Sequence, residues 1–221
     1  MPIWGVTYFQ DRNSPTTEHL IYFHDHAIVV ITFLMALFSV LTLVYVRNKN
    51  FNHKFLDSHA IEFFWTFSPS LLLMLLAVPS LKLLYIIEES IEPLFNVKIT
   101  GYQWFWGYEY SSKSSDVSAI ESNILKTNKK LKLLEVTNNL TLPFHTPVRL
   151  LVTSKDVIHS WRMPSLCNKI DAVPGRINQI ITIRSRPGVH VGQCSEICGS
   201  GHSFIPILVE SVGIEKFLKH Q

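Results

Sequence analysis

Cysteine is scarce in this chain: its 221 residues include three, an odd number. That excludes the disulfide framework that staples small secreted folds. A removable leader is not expected either. The first 26 residues have no basic segment running into an apolar core and a small-residue cleavage site. With Asp11, Glu18 and Asp25 against Arg12, they also lack the Arg-rich, acid-poor look of a transit peptide. Nothing at this end is expected to be cut away, which fits a protein made inside the compartment it serves. Charge is sparse at 17% of residues, and the net of +3 says little about partners and gives no ground for expecting nucleic acid. No internal repeat is visible.

Long hydrophobic runs are present. Ala27 to Val46 is 20 residues without a charge, enough to cross about 30 Å of hydrocarbon as a helix. Phe63 to Leu81 is a second run, of 19, continuing past Lys82 to Ile87. Pro69 and Pro79 would break a soluble helix, but membrane helices tolerate proline where neighbours satisfy the freed carbonyls. The segment between the runs carries Arg47, Lys49 and Lys54 against Asp57, whereas Glu88, Glu89 and Glu92 follow the second run. The positive-inside rule places that short loop inside and both termini outside. The expected arrangement is a helical hairpin over residues 1–94, with spans at 27–46 and 63–87 and the long C-terminal part outside. The His24-Asp25-His26 cluster lacks a third metal ligand and is expected to cap the first helix at the interface.

From residue 95 to 221 the texture changes. Short β-rich runs at Phe95–Thr100, Leu131–Val136, Val148–Thr153 and Gln179–Ile183 alternate with stretches of Pro, Gly, Asn or Ser, the signature of a sandwich or barrel. About 125 residues suffice for such a core. Ser111 to Asn128 is polar and is expected to be a surface loop. GYQWFWGYEY at 101–110 is dense in aromatics. Read as one strand, it places Trp104, Trp106, Tyr108 and Tyr110 on one side, as core or as an aromatic route.

The chemistry concentrates in Gly192 to Glu210, GQCSEICGSGHSFIPILVE. Cys194, Cys198 and His202 follow one another at spacings of four, and His159 in DVIHSW lies 35 residues ahead of Cys194. Thiolate and imidazole ligands favour copper, zinc or iron–sulfur centres. One Cys with two His is the blue-copper set, and a second Cys lets two sulfurs bridge two coppers. Two other readings compete. A Cys194–Cys198 disulfide would leave His202 unexplained. Structural zinc commonly takes Cys₂His₂, but with a paired H-x₃₋₅-H that this loop lacks. Spacing favours a metal site, and copper modestly within that.

CSEICGSGHSF, GYQWFWGYEY and DVIHSW, with SPSLLLMLLAVPSLKLLY and DAVPGRINQ at 171–179, resemble subunit 2 of cytochrome c oxidase over nearly the whole chain. The compact form resembles the mitochondrial version. The resemblance implies a two-helix transmembrane hairpin followed by an all-β cupredoxin-like Greek-key barrel, in the mitochondrial inner membrane with the C-terminal domain in the intermembrane space. It implies a binuclear copper centre, CuA, with Cys194 and Cys198 as bridging thiolates and His159 and His202 each on one copper. Glu196 would lend its carbonyl to copper and its carboxylate to a magnesium ion shared with the large haem-bearing subunit. Electrons would enter from cytochrome c at Trp104, with Trp106 beside it, and Glu62 would mark the mouth of a proton path. Asp156 and Arg176 are expected around the ligands, and Cys167 as a buried small hydrophobe.

Two departures from the family pattern stand out. Ile205 occupies the place of a weak methionine ligand and cannot coordinate. Either the centre assembles with an altered potential, or the codon AUA, which many animal mitochondria read as methionine, has been rendered Ile; the chain has 4 Met against 21 Ile. From residue 95 onward there are 15 Lys and Arg against 9 Asp and Glu, a net of +6, although cytochrome c is itself basic. Lys155 and Thr137 stand where relatives often carry acids, leaving Glu109, Asp156 and Asp171 for an acidic patch. The resulting expectation is the electron-entry subunit of a proton-translocating oxidoreductase. It would sit in the lipid bilayer among other oxidase subunits and pass electrons to haem in a large subunit that reduces oxygen. The alternative is a membrane-anchored cupredoxin-like protein with a degenerate copper or a zinc site.

Overall fold

The computed structural model describes residues 7–50, 57–89, 91–111, 119–125 and 133–219. They form two compact units: His19–Ile87 is one, and the residues up to Glu18 pack with Glu88 onward as the other.

Two long helices dominate the chain's first part, α1 (Pro15–Arg47) and α2 (His59–Glu88). At 1.5 Å per residue they are roughly 50 and 45 Å long, more than a bilayer's hydrocarbon core requires. Apolar side chains all round them, such as Val29, Phe33, Leu43, Phe64, Leu73 and Val78, are exposed. A helix that is apolar all round and unburied in its own fold has lipid as its solvent. The hydroxyls of Thr32, Ser39, Thr42 and Ser70 each donate to the carbonyl four residues back, so these polar groups are satisfied without water. Pro69 and Pro79 both lie inside α2.

Helix α1 starts twelve residues before the expected span, because Ser14 and Pro15 make a strong start signal. Pro15 occupies the first helical position, and the Ser14 hydroxyl accepts the Thr17 N–H at 3.1 Å. His24, Asp25 and His26 therefore lie within α1, and Ser14 is the cap they were expected to be. The expected boundary at residue 94 is also revised at this end. Asn13 N–H donates to the Ser165 carbonyl and Ser185 N–H to the Asn13 carbonyl, both at 2.9 Å. The Thr17 hydroxyl donates to the same Ser165 carbonyl at 3.1 Å. Asn13, Ser14 and Thr17 are all buried, so the chain's beginning straps onto the β unit.

Among the described residues ten strands follow: β1 (Phe95–Tyr102), β2 (Phe105–Tyr110), β3 (Ile120–Ser122), β4 (Leu140–Pro143), β5 (Val148–Ser154), β6 (His159–Met163), β7 (Asn168–Ala172), β8 (Asn178–Thr182), β9 (Gly188–Cys194) and β10 (Pro206–Val212). A short helix, α3 (Ile214–Leu218), closes the unit. The strands form two five-stranded sheets, ordered β3-β2-β1-β5-β8 and β4-β10-β9-β6-β7. The pairs β1–β5 and β4–β10 are parallel. Alternation drives the packing. In β5, Val148, Leu150 and Val152 point inward while the residues between them are half-buried. One core takes Trp106, Tyr108 and Leu150 from the first sheet and Trp161, Met163, Ile207 and Val209 from the second.

The expected runs at 95, 148 and 179 are β1, β5 and β8. The run Leu131–Val136 is not a strand where it is described: Val136 makes an isolated bridge with Ile124, and residues 131–132 lie outside the described residues. The polar stretch Ser111–Asn128 contributes β3, an edge strand on β2, while its residues 112–118 and 126–128 are not among those described. GYQWFWGYEY is a hairpin, not one strand. Tyr102 pairs with Phe105, so Gln103 and Trp104 form its tip, and Trp104 leaves the face that Trp106 and Tyr108 share.

Candidate metal centre

Strands β6 and β9 run antiparallel with Trp161 opposite Cys194. That register brings the start of one strand, His159, to the end of the other, Cys194. The loop from Ser195 to Ile205 leaves the sheet there and is tied back at both ends. Ser195 N–H donates to the Ser160 carbonyl at 2.9 Å, and Cys194 N–H to the Ile205 carbonyl at 3.1 Å. Gly199, at φ +124°, makes the turn that an L side chain would resist. His202 then opens a single 3₁₀ turn, His202–Phe204.

The result is two Cys–His pairs. His159 Nδ1 lies 3.9 Å from Cys194 Sγ, and His202 Nδ1 lies 3.5 Å from Cys198 Sγ. The ligand atoms of His159, Cys194 and Cys198 all fall within 4.8 Å of one another, and all three residues are buried. The thiols are free, so the disulfide reading fails. The Cys194 thiol also approaches the Glu196 carbonyl, at 3.4 Å. The Glu196 side chain is half-buried and makes no hydrogen bond among the described residues. Ile205 is buried in the core beside the cysteines.

Electrostatics follow from this crowding. Burial alone pushes the Cys194 thiol up, but hydrogen bonds from His159 and at the Glu196 and Ser160 backbone pull it down to about 6. Burial and the neighbouring Cys194 thiolate push Cys198 up. Two thiols so close resist carrying two negative charges unless a cation joins them. His159 is raised overall. Burial works against that shift, and hydrogen bonds with Cys194 and Asp156 outweigh it. The Asp156 Oδ1 lies 2.8 Å from His159 Nε2, which leaves Nδ1 facing the thiols, as carboxylate-oriented imidazole ligands do.

The hairpin tip supplies residues that motif spacing did not reveal. Gln103 N–H donates to Asp156 Oδ2 at 2.6 Å, and Gln103 Nε2 to the Cys198 carbonyl at 2.8 Å. Trp104 lies over the loop: a Cβ on Gly201 would sit 2.5 Å from its ring, and one on Gly199 3.3 Å from its Nε1. Gly101 leaves room for the His159 ring, which an added Cβ would meet at 2.8 Å. Trp106 stands edge-on to His159 with ring centroids 5.8 Å apart. Glycine at 101, beside the aromatic hairpin tip, and at 199 and 201, in the Cys–His loop, was the available signal for these close approaches.

Other expected residues lie elsewhere. Arg176 is exposed beyond β7, and its guanidinium hydrogen-bonds no ligand among the described residues. Cys167 is half-buried, at φ 56°, rather than fully buried. Glu62 belongs to the helical unit, in the first turn of α2, where its carboxylate approaches His59 Nδ1 at 3.6 Å.

Comparison with known proteins decides the family. Residues 95–212 match the family described as the periplasmic domain of cytochrome c oxidase subunit II, and residues 2–83 match its transmembrane domain. The chain belongs to the cytochrome c oxidase subunit II family. Cytochrome c oxidase subunit 2 of Ctenocephalides felis is 43% identical over 222 residues, covering 99% of this chain and 97% of that one. The Sympetrum striolatum subunit is 45% identical over 224 residues, with 99% and 96% covered. Among solved structures, the periplasmic domain of subunit II from Bradyrhizobium japonicum superposes with a TM-score of 0.56 at 34% identity, covering 60% of this chain and 94% of that one. A subunit II caught as a mixed disulfide with a thioredoxin-like protein superposes at 0.53 with 33% identity, covering 60% and 92%. The chain is therefore a two-span membrane subunit of an oxidoreductase complex, with a cupredoxin-like domain in the electron-entry role, and is not the subunit that reduces oxygen. The family implies a copper centre, and thiolate and imidazole donors from the buried His159, Cys194 and Cys198 and the half-buried His202 suit copper.

Proposed function

We propose that the centre is binuclear CuA, which Cys194 and Cys198 through their thiolates, His159 and His202 through Nδ1, and the Glu196 carbonyl would hold. The observation that carries this reading is the duplication: a second Cys–His pair, Cys198 with the half-buried His202, stands beside the buried His159–Cys194 pair, where a single-copper site needs one. Bound copper would supply one-electron acceptance and release there. The chain's own residues fix the ligands. Asp156 orients His159, Gln103 anchors the Cys198 carbonyl, and the strand ends hold Cys194 and Ile205 in register. A rigid, water-poor pocket lowers the reorganisation that accompanies a change of charge.

Trp104 is an exposed aromatic lying over the loop, and we assign it as the contact for the donor, cytochrome c, with Trp106 against His159. The free Glu196 carboxylate is the group to hold magnesium together with the large haem-bearing subunit, since magnesium prefers oxygen ligands. Glu62, in the first turn of α2, would serve a proton path from the opposite side. The protein would sit in the mitochondrial inner membrane with its β unit in the intermembrane space, a reading that the two-span match and the animal relatives support.

The test is metal analysis of the full chain in detergent, reduced and loaded with copper. Two coppers per chain with a delocalised mixed-valence EPR signal are expected. One copper, or tightly held zinc without colour, would sink the binuclear assignment.

A further inference from the structure

The helical hairpin carries a feature that electron entry does not use. At the end where α1 enters and α2 leaves, the two helices bound a recess of about 180 Å³. Each helix lends one face through residues three and four apart, with His19, Phe23 and His26 on α1 and Pro79, Lys82 and Leu83 on α2. The floor is apolar, with Leu83 buried. No carboxylate lines the recess.

Lys82 is the one charged residue between Phe63 and Ile87, and it makes no ion pair among the described residues. An ammonium group within a membrane span is costly and persists where it meets a counter-charge or reaches the interface. Lys82 lies six residues before the last residue of α2, roughly 9 Å along the axis. That depth suits the boundary between headgroups and acyl chains. Two imidazoles on the facing helix line the same recess, so N–H donors edge an apolar floor with no acid among the lining residues. A solvated interfacial lysine would need neither the facing imidazoles nor the apolar floor.

We propose that this recess binds the phosphate of an anionic glycerophospholipid from the leaflet into which α2 emerges. Lys82 is the counter-cation, His19 and His26 donate hydrogen bonds, and an acyl chain lies along Phe23 and Leu83. The site is independent of the copper assignment. An unattached phosphate would share the headgroup chemistry but not the chain contact.

The assembled oxidase in nanodiscs of zwitterionic phospholipid, doped with a photoactivatable anionic phospholipid, tests this directly. Cross-linked peptides from α1 and α2 are quantified by mass spectrometry. Adducts are expected around Phe23 and Leu83. They should fall about fivefold in Lys82→Gln, the worth of one cation near a membrane surface, and persist in Lys82→Arg. A zwitterionic probe should label at background. Equal labelling in Lys82→Gln overturns the proposal. Competition by millimolar inorganic phosphate reassigns the recess to a free anion and overturns the lipid, and so does absence of labelling because another subunit covers it. Unchanged haem absorbance and copper content show that the variants assemble. If Lys82→Gln does not assemble, competition in the wild type between unlabelled anionic and zwitterionic lipid decides: displacement by the anionic lipid alone supports the site, and equal displacement by both overturns it.

Discussion

Asp156 accepts four hydrogen bonds from three parts of the β unit. Its Oδ1 takes them from Val157 N–H at 2.6 Å, His159 Nε2–H at 2.8 Å and the Ser154 hydroxyl at 3.2 Å, and its Oδ2 from Gln103 N–H at 2.6 Å. Burial opposes the charge, but these donors outweigh it and hold the carboxyl below its usual range. Asp156→Asn replaces one acceptor oxygen with an NH₂ that faces other donors, freeing either the imidazole or the hairpin tip. Copper affinity should fall roughly 10- to 100-fold, as for other lost ligand partners, in a competition titration against a chelator. An affinity within twofold of the wild type would remove Asp156 from the site's design. Ile205 bears on the potential instead. Its buried side chain cannot coordinate, so Ile205→Met should leave the copper count unchanged and shift the reduction potential by roughly tens of millivolts through a weak axial ligand. Spectroelectrochemistry checks this, and an unchanged potential would mean that the thioether does not reach the metal.

Among the elements, the strap of residues 12–17 was the least visible in the sequence, although its parts are ordinary. Asn13 Oδ1 accepts Arg186 N–H at 2.8 Å, and Asn13 Nδ2 donates to His190 Nε2 at 2.8 Å. Burial, then the nearby Arg186 and Arg184, depress the His190 pKa below its ordinary 6.5. The unfolded chain therefore takes up a proton that the folded one refuses. Stability is full above pH 6.5, declines as pH falls toward the depressed folded value, and levels off below it. In Asn13→Ala, the β unit should lose about 1–3 kcal/mol from two part-buried hydrogen bonds, measured by urea unfolding at pH 7.5. In His190→Gln, the decline just below pH 6.5 should flatten. An undiminished decline would assign it to another group.

The candidate metal loop and the two spans were legible because their chemistry is local: thiols and imidazole at short spacing, and charge-free runs of bilayer length. Strands β1, β5 and β8 were legible from β-branched runs. The rest was not, because it depends on contacts distant in sequence. Trp104 reads as a strand residue until β1 and β2 fold back on each other, and Gln103 gains its role from Asp156, 53 residues away. Residues 15–26 look too polar to belong to a span, yet they continue α1 beyond hydrocarbon depth. Cys167 reads as a small core residue, but the turn after Leu166 requires a positive φ, which spacing cannot show.

At the scale of the whole molecule, the charge balance constrains how a donor approaches. Electrostatically steered pairs associate fast and slow steeply with salt, and a basic donor needs an acidic surface for that. Here the net charge from residue 95 onward is +6, and several of the acids are engaged. Glu109 holds Lys98 at 3.0 Å and Glu210 holds Lys216 at 2.9 Å, while Asp156 is turned onto Gln103 and His159. Among the described residues Asp171, Glu121 and Glu215 are exposed acids. Apolar groups, by contrast, are exposed next to the ligands in the chain: Val157 and Ile158 before His159, Ile197 between the cysteines, and Phe204 after His202, with Trp104 at the hairpin tip. Burying aromatic and aliphatic side chains gives an affinity that salt does not screen. With a basic cytochrome c, the second-order rate of electron entry should change by less than about twofold between 20 and 150 mM salt, where steered pairs fall far more. Trp104→Ala should lower that rate at least tenfold at either salt concentration, since it removes the exposed aromatic that lies over the ligand loop. Stopped-flow mixing of reduced donor with the oxidase measures both. A steep fall with salt in the wild type would show that the few exposed acids, Asp171 among them, steer docking in spite of the net positive field.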